Sequence, residues 1–141
     1  MQQFIEFSLR HWELWAAFFA ILGLLLIFEL HIKLTSAPAL SPQQAIFLMN
    51  REDAVLLDVR DTNSFAKEHI ASSINIPFSE LASKIKQLDY CREKPIIISY
   101  GQGQAHYRIA RLLKKGGFTK LYQLKGGIIA WKNATLPLSK K

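Results

Sequence analysis

The chain has 141 residues and a mass of 16.1 kDa, and its 18 Lys and Arg against 11 Asp and Glu give a formal net charge of +7. This length allows one ordinary domain with a short extension, and a composition of 50% hydrophobic and 21% charged residues excludes wholesale disorder. The single cysteine excludes an internal disulfide framework, and the spacing of Cys and His offers no zinc site. We therefore expect no metal and no cofactor.

The apolar residues are concentrated near the amino terminus. Residues 14–28 carry no charge, and a helix over residues 12–32 would be about 31 Å long, which matches a bilayer core of about 30 Å. Glu13 and Glu29 would then lie near opposite interfaces, where a carboxylate reaches water. We expect a transmembrane anchor helix over residues 12–33.

Two other interpretations of this segment stay open. A cleaved signal peptide would use a small-residue site such as the one around Ala37–Ala39, although that site lies well beyond the apolar core. A buried helix of a soluble protein is the third possibility, although the segment is apolar on every face. The flanking charges favour only weakly a short amino terminus outside and a domain in the cytoplasm.

Beyond the anchor, strand and helix patterns alternate. Ser41 and Pro42 are typical of a helix start, and Ser79 is predicted to cap a later helix. Apolar runs predict buried strands at 54–57, 74–76, 95–99 and 121–124. Alternation of this kind predicts an α/β fold whose parallel sheet is covered on both sides by helices.

One family resemblance covers residues from about Ser41 to Pro137. The chain resembles a rhodanese-like domain in the segments Leu-Asp-Val-Arg at 57–60, Phe65, His69 to Pro77, Ala-Arg-Leu-Leu at 110–113, Gly-Phe at 117–118, and 124–131. The resemblance implies a central five-stranded parallel sheet flanked by helices, preceded here by one transmembrane helix. With that anchor the chain is similar to the small membrane-anchored rhodanese-like proteins of bacteria, which implies a single-pass protein of the bacterial inner membrane.

The resulting domain boundaries follow from these two predictions. We expect a short amino-terminal tail at 1–11, the anchor at 12–33, a linker at 34–40, the rhodanese-like domain at 41–138, and a basic tail at 139–141.

The resemblance departs from the family pattern in the reactive loop. In active members this loop reads Cys-x-x-Gly-x-Arg, and the cysteine holds sulfur as a persulfide. Aligned on Gly103, the loop here consists of Tyr100, Gly101, Gln102, Gly103, Gln104 and Ala105, followed by His106. Tyr100 then stands at the nucleophile position, and a phenol is mostly protonated at neutral pH and cannot carry transferable sulfur. Ala105 stands where a guanidinium would clamp an anionic donor. We expect no catalytic residue, and a loop at 100–106 that binds an anion or a partner.

Four further side chains need an interpretation. Asp58, Arg60 and His69 match scaffold positions of the family, and His69 is expected to form hydrogen bonds beneath the loop. Cys91 precedes the strand at 95–99, which would separate it from the loop by about 16 Å, too far for thiol chemistry there. His106 is expected either to face a ligand or to cap a helix.

Charge is distributed unevenly along the domain. Residues 94–141 contain ten Lys and Arg and no Asp or Glu, whereas residues 35–93 contain six basic and eight acidic residues. This basic half is either a solvated face or a surface for anionic lipid headgroups beside the anchor. We do not expect nucleic acid as the partner, because no stacking aromatics are interleaved with the charges.

Two functions remain as hypotheses. The first is a catalytically inactive interaction or regulatory module that binds an unidentified membrane or cytoplasmic protein. The alternative is a sulfurtransferase or sulfur-relay accessory protein that binds a partner's persulfide at the loop 100–106.

Overall fold

The computed structural model describes residue 1, residues 6–7, 10–103 and 106–140, and it divides into two compact units, 1–35 and 36–141. The first unit contains helix α1, Trp12–Thr35, which has 24 residues and no buried residue, and its most apolar stretch of 18 residues has a mean hydropathy of 2.1. At 1.5 Å per residue it is about 36 Å long. This helix is therefore long and apolar enough to cross a membrane.

The second unit is built on a parallel sheet of five strands in the order β1-β6-β5-β2-β4, with a separate antiparallel pair formed by β3 and β7. The strands are β1 Ala39–Leu40, β2 Val55–Asp58, β3 His69–Ile70, β4 Ile74–Asn75, β5 Ile96–Ser99, β6 Leu121–Leu124 and β7 Leu138–Ser139. The helices are α2 Pro42–Glu52, α3 Thr62–Lys67, α4 Phe78–Lys84, a 3-10 helix Ile85–Cys91, α5 His106–Lys115 and α6 Gly127–Asn133. This arrangement confirms the predicted α/β fold with a five-stranded parallel sheet.

Both faces of the sheet are buried, as the continuous apolar strands predicted. On one face, Ile96 and Ile98 of β5 belong to a core cluster with α4, the 3-10 helix and α5. On the other face, Ile97 belongs to a cluster with α2 and α6, which includes Trp131. The central strand β5 is thus enclosed from both sides, and its end is a fixed point from which the next loop leaves the sheet.

Of the two predicted helix caps, the structure confirms one and contradicts the other. Ser41 caps α2 as predicted, since its hydroxyl accepts from Gln44 N at 3.3 Å and the Gln44 side chain accepts from Ser41 N at 2.9 Å. The predicted cap at Ser79 is wrong, because α4 already begins at Phe78 without a side-chain cap. The N–H of Phe78 donates to Val59 O at 3.0 Å, and this bond accompanies a helix start two residues earlier than predicted.

The structure also shifts both predicted edges of the domain. The expected linker at 34–40 contains the last two residues of α1 and all of β1, whose Ala39 pairs with Gln123 of β6. The expected tail at 139–141 begins with Ser139, which pairs with His69. Strands of two residues have no periodicity that a sequence pattern could reveal, and pairing with a longer strand is what orders them.

Candidate functional site

The candidate loop leaves the sheet at the carboxyl end of its central strand. Ser99 ends β5, Tyr100 follows it directly, and α5 begins at His106. The predicted site residues Gln104 and Ala105 lie outside the described residues. Of this loop, the structure describes Tyr100, Gly101, Gln102 and Gly103, together with His106. The carboxyl edge of a parallel sheet is where α/β proteins place their binding sites.

Tyr100 is half-buried and anchors the loop to the core. Its ring packs against the core cluster that includes Ile98 and Ile109, and it stacks on the ring of His106 with centroids 5.4 Å apart and planes at 30°. The ring of His106 also contacts Tyr107 edge-on at 6.4 Å. These contacts place His106 against the loop. Tyr100 is thus a packing residue, and its phenol provides an aromatic surface at the start of the loop.

Two glycines shape the backbone around Tyr100. A Cβ placed on Gly127 would lie 3.0 Å from Tyr100 O, and Gly127 has φ +55°, so α6 begins in close backbone contact with the loop. Gly103 has φ +77°, but a Cβ there would meet no atom within 4 Å. Gly127 is therefore required by both space and conformation, whereas Gly103 is required by its left-handed backbone alone.

Asp58 and Arg60 form a buried ion pair at the carboxyl end of β2. Arg60 Nη2 lies 2.7 Å from Asp58 Oδ2 and Arg60 Nε lies 3.0 Å from Oδ1, with 11% of the arginine side chain and 1% of the aspartate side chain exposed. Arg60 Nη2 also donates to Glu68 O at 2.8 Å, and Asn75 donates to the backbone oxygens of both pair members. These hydrogen bonds join β2, β4 and the end of α3.

The hydrogen bond that the structure gives His69 is to the backbone of α3. Its Nδ1 lies 2.8 Å from Phe65 O, and its ring stacks on Phe65 at a centroid distance of 4.0 Å. Because a carbonyl oxygen only accepts, Nδ1 carries the proton. His69 therefore stabilises the connection between α3 and β3.

Cys91 is fully buried and lies before β5, so the whole strand separates it from Tyr100. Its thiol donates to Leu88 O at 3.0 Å, and burial raises its pKa above the ordinary value, with Lys94 acting in the opposite direction. The raised pKa keeps the thiol protonated at neutral pH. Since Cys91 is the single cysteine of the sequence, the loop at 100–105 has no thiol.

Sequence analysis missed the hydroxyl of Ser99. This side chain is completely buried at the point where β5 gives way to the loop, and within the described parts of the chain its oxygen has no hydrogen-bond partner. The only signal was a polar residue closing an otherwise apolar strand. Two exposed apolar side chains, Phe78 and Ile129, follow β4 and β6 at this same edge of the sheet. Among residues 6–7, 10–103 and 106–140, no group of three His, Cys, Asp or Glu could hold a metal ion.

Comparisons with known proteins agree with this fold. The family model described as Rhodanese-like domain matches residues 41–134. The uncharacterized protein YibN of Escherichia coli K12 is 34% identical over 139 residues, which cover 98% of this chain and 97% of YibN. A thiosulfate sulfurtransferase GlpE of Coxiella burnetii is 32% identical over 93 residues, which cover 66% of this chain and 85% of that protein.

Solved structures give the same result. A thiosulfate sulfurtransferase from Pseudomonas aeruginosa superimposes with a TM-score of 0.64 at 27% identity, over 74% of this chain and 20% of that one. A rhodanese-related protein from Thermoplasma volcanium superimposes with a TM-score of 0.61 at 27% identity, over 74% of this chain and 99% of that one.

Proposed function

The chain belongs to the rhodanese-like domain family, and from this premise we propose that it is a membrane-anchored, catalytically inactive member that acts as an interaction or regulatory module at the bacterial inner membrane. The observation that carries the proposal is the chemistry of the loop. Tyr100 begins the loop, and the chain's one thiol is buried at the other end of β5. Sulfur transfer by a persulfide needs an accessible thiolate, and nothing in this loop supplies one.

Thiosulfate:cyanide sulfur transfer tests the inactivity directly. The full-length protein in detergent is expected to form no thiocyanate above buffer, and Cys91→Ser is expected to leave that result unchanged. Turnover that survives Cys91→Ser and disappears in Tyr100→Phe would refute the proposal, because the phenol would then take part in the chemistry.

The proposed partner surface is the mouth around the loop. Gln102 is exposed, Tyr100 and His106 form a stacked aromatic pair, and the apolar side chains of Phe78 and Ile129 are exposed at the same edge of the sheet. Aromatic and apolar groups at a rigid backbone edge are typical of protein-binding surfaces. The proposed partner is therefore a membrane or cytoplasmic protein.

In-cell crosslinking tests this surface with a matched control. A photoreactive residue at position 102 is expected to trap one protein species in membranes. The same residue at Gln87, which is exposed on the 3-10 helix, is expected to trap that species at least fivefold less. Equal capture from the two positions would contradict a partner site at the loop.

The anchor is the second part of the proposal. Helix α1 is apolar on all faces and its large apolar side chains are exposed, which is costly in water and favourable in a bilayer. We place the short amino terminus outside and the domain in the cytoplasm, with the basic half toward anionic headgroups, and we propose no nucleic acid partner. Paired cytoplasmic and periplasmic reporters fused after residue 141 test the orientation, and a periplasmic signal would reverse it.

A sulfur-relay accessory role is the alternative. Two observations favour it. The relatives include sulfurtransferases. The loop also keeps the six-residue length of the family pattern, with a left-handed backbone at Gly103. In this function a partner supplies the cysteine and the loop binds its persulfide. Deletion of the domain would then lower sulfur flux to an acceptor. Wild type would restore the flux, and Gly103→Asp would not.

A further inference from the structure

A small cleft lies at the amino-terminal end of β6, at the opposite end of the sheet from the loop 100–106. Its volume is about 250 Å³, and Pro38, Lys114, Thr119, Lys120 and Tyr122 line it. It lies wholly within the second unit. The family comparisons and the loop chemistry described above give it no role.

The walls of the cleft are held in place by the sheet. Gln123 N donates to Pro38 O at 2.8 Å, and the side-chain amide of Gln123 donates to Ala37 O at 2.8 Å. On the other side, Gly117 ends α5 with φ +91° and Phe118 is buried, so the chain turns and brings Lys120 back beside Lys114. The cleft is therefore a fixed feature of the fold.

The chemistry of the cleft suits a phosphate diester. Lys114 and Lys120 are exposed and contribute ammonium groups, and the exposed Thr119 contributes a hydroxyl group. No carboxylate is among the described residues that line the cleft. Lysine is a common phosphate ligand.

The position of the cleft along the chain indicates which phosphate is nearest. Helix α1 ends at Thr35, and the covalent path from there to Ala37, which also lines the cleft, is two residues, or about 7 Å at full extension. We propose that the cleft binds the phosphate of an anionic phospholipid headgroup in the bilayer that holds α1. This inference rests on the membrane anchoring proposed above. It assigns the lipid contact to one site within the basic half.

Lysine footprinting on the full-length protein in nanodiscs tests the site. Reductive methylation with formaldehyde and dimethylamine–borane, both neutral reagents, reports the accessibility of each lysine by mass spectrometry, because formaldehyde forms an imine with the amine and the borane reduces that imine. In nanodiscs with 30% phosphatidylglycerol, Lys114 and Lys120 are expected to react about fivefold more slowly than in pure phosphatidylcholine. Lys67 and Lys86, which are exposed and outside the cleft, are expected to change less than twofold. In Lys120→Gln the protection of Lys114 is expected to fall at least twofold, while the control variant Lys86→Gln leaves it unchanged.

Each other result would overturn the inference in a recognisable way. Equal protection of all four lysines would mean diffuse attraction to the charged surface. Protection of Lys114 and Lys120 in phosphatidylcholine nanodiscs on addition of inorganic phosphate would mean a site for free phosphate. A protein that enters nanodiscs but shows no protection would end the headgroup assignment and leave the anchor intact. A protein that does not enter nanodiscs would end both.

Discussion

Removal of either partner from the buried ion pair of Asp58 and Arg60 should destabilise the domain, and the two costs should differ. Asp58 is 1% exposed and the side chain of Arg60 is 11% exposed, so the carboxylate depends on its partner more than the guanidinium does. Arg60→Met keeps most of the aliphatic stem but leaves a buried charge without its partner, for which the expected cost is about 3–5 kcal/mol. Asp58→Asn keeps a similar shape and leaves Arg60 bound to Glu68 O, so about 1–3 kcal/mol is expected.

Urea unfolding in detergent measures both costs. The chain has three tryptophans, and in a Trp12→Phe, Trp15→Phe background the buried Trp131 becomes the single reporter of the domain.

A surface pair provides the control. Lys84 and Glu80 form an exposed i,i+4 pair on α4, and Lys84→Ala should cost less than about 0.5 kcal/mol. Equal costs for Arg60→Met and Asp58→Asn, or a larger cost for Asp58→Asn, would refute the reasoning from burial.

Three further predictions concern single positions. Gly127→Ala should destabilise the domain by about 1–3 kcal/mol, because the added Cβ would meet Tyr100 O and the backbone there is left-handed. Gly103→Ala adds a Cβ in open space and should cost only about 1 kcal/mol for the left-handed backbone. A denaturation experiment in which Gly103→Ala costs more than Gly127→Ala would contradict the contact with Tyr100 O. Cys91 should resist a maleimide at pH 7 until urea is added, and rapid labelling of the folded protein would contradict its burial. Because burial raises the pKa of this thiol in the folded state, the unfolded chain loses the proton first. The free energy of unfolding should therefore fall as the pH rises above about 8.5. Ser41→Ala should cost about 1 kcal/mol in the same unfolding assay through loss of the capping box, and no change would show that α2 does not need it.

The central strands and their order of appearance were predictable because burial on both faces leaves a direct mark on sequence. The run Ile96–Ser99 is apolar up to its last residue, and a run of this length and composition is typical of a strand covered on both sides. The short strands were not predictable. Ile70 and Leu138 pair across the β3–β7 ladder although neither segment is longer than two residues, so their order comes from tertiary contact.

The candidate site was predictable in position but not in its contacts. The end of an apolar strand before a glycine turn located Tyr100 correctly at the carboxyl edge of the sheet. Its stacking on His106 depends on how the intervening loop closes, and no spacing rule encodes that. The partner of His69 was not predictable for a related reason, because its acceptor, Phe65 O, is a backbone atom of a kind that every residue carries.

The pairing of β7 with β3 constrains how the protein can be tagged. Leu138–Ser139 is the last strand, and the indole N–H of Trp131 donates to Pro137 O at 3.1 Å, so the chain is held to within two residues of position 141. A bulky fusion joined directly there would compete with this strand for the same space. Orientation reporters therefore need a flexible Gly/Ser spacer of about ten residues, which as a random coil spans roughly 16–19 Å, enough to let the last strand stay in its ladder.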